Sequence, residues 1–214
     1  MFVARWPLLP PWAAPPGGVN SPANRATGIR ARKDDEWPPI YFPTSPQSIL
    51  KCQVSVNGKL TAWCAQHDEK DYKPRSGRTY ELVSLSGSES VGIVKLLMSL
   101  EHPGPEIMRS VRAAIEWFEM AKLTGIKVVR KEDPSAPKGS DKVVVPDPNA
   151  KPMWARFYEI GTNKPLFSDR DGVAKSSLAE IGYERRNGYS WLGYWPEGLL
   201  EKDYPAWKTK WGSE

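Results

Sequence analysis

Two stretches of this chain concentrate side chains that could bind or act on an anionic ligand: Lys59–Ser90 and Trp154–Tyr189. Each brings arginine, aromatic and hydroxyl residues together around short turns, with Arg78 in the first stretch and Arg156 and Arg170 in the second. Guanidinium groups can hold a carboxylate through two parallel hydrogen bonds, and aromatic faces stack on flat rings. The two stretches therefore indicate a site for a negatively charged ligand with flat faces.

Composition agrees with an anionic partner but does not choose among the possible classes. The 214 residues include 30 Lys and Arg against 25 Asp and Glu, a net charge of +5, together with ten Trp and eight Tyr. Nucleic acid, an anionic membrane surface and acidic polysaccharide all fit this balance. Nucleic acid is disfavoured, because the lysines are scattered among acids and form no recognised binding motif. No stretch approaches the roughly 20 apolar residues of a membrane span. We also expect no membrane partner.

The cysteines and histidines do not predict a metal site. There are two of each in the chain: Cys52, Cys64, His67 and His102. Their spacing matches no zinc motif. If Asn57-Gly58 is a two-residue hairpin turn, Val56 faces Lys59 and the two cysteines point to opposite sides of the ribbon, so a disulfide between them is not expected.

The chain divides near residue 48 into two parts of different texture. Residues 1–47 hold ten of the 21 prolines and keep neither a helical nor an alternating period, so we expect a long irregular, disordered segment. Its short apolar start is broken by Pro7, Pro10 and Pro11, which argues against a signal peptide. Residues 48–214 have the patterns of a folded domain.

Two helices are predicted in the first half of that domain. Ser86 and Glu89 have capping-box spacing and precede an apolar stripe at helical intervals, formed by Val91, Val94, Leu97 and Met98. Pro105 suits the first position of a second helix, which we expect to end after Lys122 with Gly125 as its cap.

The remaining segments predict small hairpins and shorter helices. IKVVR and KVVV flank a polar loop and are expected to pair, and WARFYEI is expected to be extended. SILKCQV indicates the last turns of a helix, and KSSLAEIGYERRNG predicts a modest helix closed by Gly188.

Long words of this sequence resemble one known family. KLTAWCAQHDE, followed by RTYEL and SLSGSES, is similar nearly residue for residue to the middle of the family-ten polysaccharide lyases, which are pectate lyases. WARFYEIGTNKP, SDRDG and ERRNGY resemble the C-terminal block of that family. The resemblance, from about Ile49 to Lys210, implies a mainly α fold: a partial, truncated α/α toroid with small β hairpins. On this basis, residues 48–214 are the C-terminal half of a catalytic domain, and residues 1–47 have no family match.

The resemblance also implies a reaction and the residues that perform it. Pectate lyases cut polygalacturonate by β-elimination, in which a base removes the proton on carbon 5 and the bond from carbon 4 to the bridging oxygen breaks. By the motif, Arg78 corresponds to an arginine base, Arg156 and Arg170 match arginines that hold substrate carboxylates, and His67 falls in the matched block as a further substrate-binding candidate. An arginine base would require a local cationic environment that lowers its pKa.

The residues alone leave structural interpretations open. Arg78 could be a solvated arginine in a turn, and His67 a structural hydrogen-bonding residue. Arg156 and Arg170 could form ion pairs within the fold, with partners available nearby in sequence: Glu159, Asp169 and Asp171. Other members of the matched blocks are assigned to structure, as helix-end cations or core aromatics: Arg185, Arg186, Trp63, Trp154 and Tyr158.

Calcium, bridging protein and substrate carboxylates, is expected for the family. In the family its ligands come from an earlier half with a Gly-Trp-Pro segment and an Asn-Asp helix start, for which we find no counterpart before Ile49. We therefore expect the calcium ligands to be absent, activity to be defective, and the apolar faces of residues 90–123 to be partly exposed. The family implies a monomer in an extracellular or periplasmic location. The alternative function is a noncatalytic fragment that binds acidic polysaccharide.

Overall fold

Five α-helices of very different lengths run through the computed structural model, which describes residues 3–5 and 45–212. In chain order they are α1 (Pro46–Cys52), α2 (Glu89–Met98), α3 (Pro105–Met120), α4 (Tyr183–Gly188) and α5 (Tyr204–Trp211). A 3₁₀ turn covers Leu178–Glu180, and a π-helical turn at Leu199–Asp203 leads into α5. The predicted irregular segment 1–47 lies outside the described residues, except for 3–5 and 45–47.

The strands of the described residues pair in antiparallel couples, most of them only two residues long. The couples are β1 (Val3–Arg5) with β4 (Gln66–Asp68), β2 (Ser55–Val56) with β3 (Lys59–Leu60), β5 (Leu85–Ser86) with β9 (Phe157–Tyr158), β6 (Ile126–Glu132) with β7 (Ser140–Pro146), β8 (Trp154–Ala155) with β12 (Leu192–Gly193), and β10 (Phe167–Ser168) with β11 (Ala174–Lys175). The longest couple, β6–β7, is the hairpin expected from IKVVR and KVVV, which is confirmed.

α2 forms where it is predicted, although it begins at Glu89 and its N-cap residue is Ser88 and not Ser86. The Ser86 hydroxyl oxygen accepts hydrogen bonds from the backbone N–H groups of Ser88, at 3.2 Å, and Glu89, at 2.9 Å, and the same hydroxyl donates to the Glu89 carboxylate. These contacts satisfy backbone donors that have no partner inside the helix. α3 begins at Pro105 as expected, but it ends at Met120, and Gly125 lies instead at the entry to β6, so its assignment as the helix cap is wrong.

The apolar faces of residues 90–123 are buried, so the expectation that they are partly exposed is wrong. Val94, Leu97, Val111, Ala114 and Phe118 are fully buried in one core. Each of the larger side chains among them, those of valine, leucine and phenylalanine, stabilises the fold by about 1.5–3 kcal/mol when it is removed from water. In this stretch the exposed large apolar side chains are few: Leu96 and Met120.

Aromatic residues contribute to this first core and to a second, smaller one. Trp63, Trp154 and Tyr158 are buried in the first core, as predicted, and each donates a hydrogen bond to a backbone carbonyl. The second core contains six residues, all from the segments next to the candidate site: Tyr80, Phe157, Phe167, Leu178, Ile181 and Trp191.

The prediction of a mainly α fold with a partial α/α toroid is wrong for the described residues. A toroid needs successive long helices packed in rows, whereas α1, α4 and α5 have eight residues or fewer. Between α3 and α4 the chain turns repeatedly at residues with positive φ: Gly125, Gly139, Gly161, Asn163 and Gly172. The segments between these turns form pairs of short strands. The described fold is therefore mixed α and β.

Two smaller predictions have opposite outcomes. The hairpin at Asn57-Gly58 is confirmed, with Val56 opposite Lys59 and φ values of 51° and 77° at the two turn residues. KSSLAEIGYERRNG is not one helix, because Ile181 and Gly182 are extended and separate the 3₁₀ turn from α4. Within the described part of the chain, no helix has the length and apolar character that a membrane crossing requires.

Candidate active site

The pairing of β5 with β9 brings the two arginine-rich stretches together. Leu85 lies opposite Tyr158 and Ser86 opposite Phe157, and the Gly87 N–H donates to the Arg156 carbonyl at 2.9 Å. A Cβ on Gly87 would collide with a backbone carbonyl of the second stretch, so glycine is required for this close approach. The fold thus holds the segments around Arg78 and Arg156 side by side.

Arg78 lies in a tight turn, where it pairs with Glu81. The Glu81 N–H donates to the Arg78 carbonyl at 2.7 Å, the Arg78 N–H donates to Glu81 Oε2 at 3.1 Å, and the guanidinium forms an ion pair with Oε1. The Arg78 guanidinium also lies 4.7 Å from the ring centroid of Tyr80 and 5.6 Å from that of Tyr189. Its side chain is 46% exposed, so the turn presents a cation to solvent.

The expected lowering of the Arg78 pKa does not occur in the free protein. The hydrogen bond and the negative charge of Glu81 raise the pKa of the Arg78 guanidinium above its usual range, although burial acts in the opposite direction. Burial raises the pKa of the Glu81 carboxyl, but the hydrogen bonds from Arg78 and Tyr189 outweigh it and the net shift is downward. Both groups are therefore charged at neutral pH.

A second acidic residue pairs with two arginines at the start of α4. Arg170 donates to Glu184 from Nε, at 2.7 Å, and from Nη2, at 2.9 Å, and Arg185 donates to the same carboxylate. Hydrogen bonds from these arginines lower the pKa of Glu184 to about 2. Asp169 supports the arrangement by accepting a hydrogen bond from the backbone of Gly182.

The three arginines of these ion pairs and the two tyrosine rings line one cavity of about 670 Å³. Its lining residues come from both stretches: Arg78, Thr79, Tyr80, Arg170, Arg185, Gly188 and Tyr189. The structure therefore brings Arg78 and Arg170 together. Arg185, which the sequence assigned to structure, also lines the cavity, with its guanidinium 4.6 Å from the Tyr80 ring centroid. The sequence feature that could have identified Arg185 as a site residue is its position in the segment ERRNGY, which also contains Tyr189.

Arg156 lies next to this cavity but is not among its lining residues. Its guanidinium is paired with Glu89, at the start of α2, and lies 5.0 Å from the Tyr189 ring centroid. The Nε atom is buried and finds no hydrogen-bond acceptor among the described residues. The ion-pair partners of Arg156 and Arg170 are thus Glu89 and Glu184. They are not the acids closest in sequence: Glu159, Asp169 and Asp171.

His67 lies in the interior, away from the cavity lining. Its Nδ1 lies 2.8 Å from the Tyr72 carbonyl, and its Nε2 accepts the Cys64 N–H at 3.0 Å. These contacts correspond to the neutral tautomer with the proton on Nδ1, and burial lowers the pKa of the ring. His67 therefore holds the turn before Arg75 together, and both of its ring nitrogens are engaged.

Comparison with known proteins agrees with this geometry. A family model described as pectic acid lyase matches residues 45–200. The chain belongs to the pectic acid lyase family. The resemblance drawn from the sequence is thereby confirmed.

Two solved structures are also similar to this chain. A family 10 polysaccharide lyase from Cellvibrio cellulosa has a TM-score of 0.64 and 40% identity, and a mutant of that enzyme in complex with trigalacturonic acid has a TM-score of 0.63 and 40% identity. Each alignment covers 77% of this chain and 48% of the other, so the chain spans about half the length of these structures. The search of curated proteins found no match.

The calcium expected for pectic acid lyases has no suitable ligand set in the described residues. Calcium requires six to eight oxygen ligands, usually from several carboxylates. Residues 3–5 and 45–212 contain no group of three or more His, Cys, Asp or Glu side chains that could hold a metal ion. Beside the cavity, Glu81, Glu89 and Glu184 each contact an arginine instead. The described residues therefore do not fit calcium.

Proposed function

We propose that this chain acts on (1,4)-α-D-galacturonan as a pectate lyase, cleaving it by β-elimination to 4,5-unsaturated oligogalacturonides. The observation that carries the proposal is the shared cavity, where Arg78 from one stretch and Arg170 from the other lie with two tyrosine rings. Guanidinium groups and aromatic faces are the groups that a chain of uronate rings requires. The trigalacturonic acid bound by the mutant Cellvibrio enzyme supports this substrate class.

Arg170 and Arg185 are the proposed carboxylate binders. Their guanidinium groups converge on one carboxylate in the free protein, that of Glu184, so their geometry already suits a uronate. Arg156 adds a further cation beside the cavity, held against the Tyr189 ring. Positive charge around the substrate carboxylate stabilises the negative charge that develops when carbon 5 loses its proton. We leave His67 out of the proposed contacts, because both ring nitrogens have backbone partners.

Arg78 is the proposed base. The neutral guanidine would accept the carbon 5 proton, the electron pair of that C–H bond would form the double bond between carbons 4 and 5, and the bridging oxygen would leave carbon 4 with its bonding electrons and then take a proton. Because Glu81 keeps Arg78 protonated in the free protein, the contact with Glu81 must loosen and the guanidinium must release a proton to solvent before it can accept the carbon 5 proton. Substrate bound near Arg170 and Arg185 would have to provide the geometry for that change.

The family expectations of calcium, of a monomer and of an extracellular or periplasmic location stay proposals. A substrate that is a long polymer suits action outside the cell. Turnover without a calcium site is expected to be low, because the carbon 5 proton is only weakly acidic beside a charged carboxylate.

The decisive experiment measures the absorbance of unsaturated uronate when purified protein is mixed with polygalacturonate, with and without calcium. Product formation supports the lyase. Binding of polygalacturonate without any product supports the second candidate, a noncatalytic acidic-polysaccharide binder. That candidate is favoured by the raised pKa of Arg78.

A further inference from the structure

Glu184 differs from the other two glutamates that pair with arginines at the site. The side chains of Glu81 and Glu89 are only 7% and 11% exposed, whereas that of Glu184 is 60% exposed. Separating a buried ion pair leaves an uncompensated charge away from water, but an exposed pair separates at little cost. The Arg170 side chain is also exposed, at 67%, whereas that of Arg185 is 12% exposed. Of these three carboxylates, Glu184 is therefore the one that another carboxylate can displace most easily, and the exposed fork of Arg170 is where exchange begins.

The contacts of Glu184 have the form that a uronate carboxylate would take. Arg170 holds both of its oxygens in a two-bond fork, at 2.7 and 2.9 Å, and Arg185 adds a third donor. A galacturonate carboxylate offers the same two oxygens and the same charge. Exchange between the two therefore preserves the hydrogen bonds and the charge balance of the arginines.

Glu184 can leave these arginines without moving the backbone that carries it. α4 is anchored by Arg186, which donates to Asp141 from Nε, at 2.9 Å, and from Nη2, at 2.6 Å, and by Asn187, which donates to the same carboxylate. Rotation of the exposed Glu184 side chain is then sufficient to open Arg170 and Arg185. Such rotamer changes of exposed side chains take picoseconds to nanoseconds.

We propose that Glu184 occupies, in the free protein, the place on Arg170 and Arg185 that a substrate carboxylate takes in the complex, and that it thereby limits the affinity for oligogalacturonates. This inference rests on the proposed function. When a ligand must displace an internal competitor, its apparent Kd equals its intrinsic Kd divided by the fraction of molecules in which the competitor has left the site.

The test is calorimetric titration of trigalacturonate into the wild type, Glu184→Gln and the control Glu180→Gln. Glu180 is also exposed and lies four positions away, but its carboxylate accepts hydrogen bonds from the Ser176 and Ser177 hydroxyls and not from arginine. We expect Glu184→Gln to bind about three-fold more tightly than the wild type, which is the typical worth of an exposed ion pair, and Glu180→Gln to match the wild type.

A double-mutant cycle separates displacement from a general loss of negative charge. If Glu184 competes for the arginine fork, its substitution in an Arg170→Gln background gains much less affinity than in the wild type. An equal gain in both backgrounds overturns the inference, as does a Glu184→Gln variant that binds no more tightly than the wild type; both results leave the proposed function standing. Absence of trigalacturonate binding in every folded variant, with folding checked by thermal unfolding, overturns the proposed function and the inference together.

Discussion

The Tyr189 hydroxyl donates a hydrogen bond to Oε1 of Glu81 at 3.0 Å, which joins the two arginine-rich stretches across 108 positions of sequence. Burial raises the pKa of Tyr189, so the phenol keeps its proton and remains a donor. The same ring lies near the guanidinium groups of Arg78 and Arg156. Tyr189 therefore orients an anion and two cations at once.

Substitution of Tyr189 by Phe removes this hydrogen bond and keeps the ring. We expect the free energy of unfolding to fall by about 2 kcal/mol, because hydrogen bonds to charged groups contribute roughly 1.5–3 kcal/mol. Tyr183→Phe is the matched control, since the Tyr183 hydroxyl donates to the neutral carbonyl of Ser140 at 2.9 Å and its loss should cost only about 1 kcal/mol. Urea unfolding measures both values. Equal losses in the two variants would show that the charge of Glu81 adds nothing to the Tyr189 contact.

Arg156 and Glu89 form a largely buried ion pair. Arg156 lies between β8 and β9, and Glu89 is the first residue of α2. Removing one member leaves the other charge without its partner, so Arg156→Met should lower the free energy of unfolding by about 3–5 kcal/mol. The double variant Arg156→Met/Glu89→Gln should recover part of that loss. Chemical denaturation of the single and double variants tests the pair, and a double variant less stable than Arg156→Met would contradict it.

His67 makes the stability of the protein depend on pH in the mildly acidic range. Burial holds its folded-state pKa below the unfolded value of about 6.5, so the unfolded chain binds a proton more readily. The stability it contributes is complete above that value and is lost as the pH falls below it. The Asp and Glu side chains whose pKa is lowered by folding have unfolded-state pKa values of about 4, so they change the stability mainly below about pH 5.

The measurement compares unfolding at pH 7 and pH 5.5 for the wild type, His67→Gln and His102→Gln. We expect the pH-dependent loss to shrink in His67→Gln and to persist in His102→Gln, which keeps the buried histidine. His67→Gln also removes a contact at the turn, so its absolute stability falls at both pH values; only the difference between them reports on titration. An unchanged difference in His67→Gln would exclude His67 as its source.

The sequence predicted those parts of the protein that depend on local chemistry. The turn at Asn57-Gly58 follows from the φ values that these residue types tolerate, and the start of α2 follows from the hydroxyl of Ser86. The cavity arginines Arg78 and Arg170 could be named because they lie in words shared with a family. None of this depends on contacts between distant segments.

What the sequence could not predict depends on packing between distant segments. The glutamates that pair with Arg156 and Arg170 lie 67 and 14 positions away, so nearby acids were the wrong partners to name. The toroid was inferred from the resemblance to a longer family of proteins. In the described residues, turns at positive φ divide the chain between α3 and α4 into short paired strands. Arg185 was assigned to a helix end, where positive charge is favourable, and it does lie in the last turn of α4. Its approach to Tyr80 could not be predicted, because the two residues come from different stretches of the chain.

The strongest test of the mechanism is the replacement of Arg78 by Lys. Lysine keeps the positive charge, but it lacks the planar guanidinium that contacts Tyr80 and Tyr189, so the group that accepts the proton is displaced. General base catalysis contributes roughly 10²–10⁴-fold, and we therefore expect the rate of unsaturated product formation to fall at least about 100-fold. Affinity for polygalacturonate should change much less, because Arg170 and Arg185 remain. Arg75→Lys is the matched control, since Arg75 lies in the same loop and pairs with Asp71 at 2.8 Å. A rate that survives in Arg78→Lys, or falls equally in both variants, would remove Arg78 from the role of base.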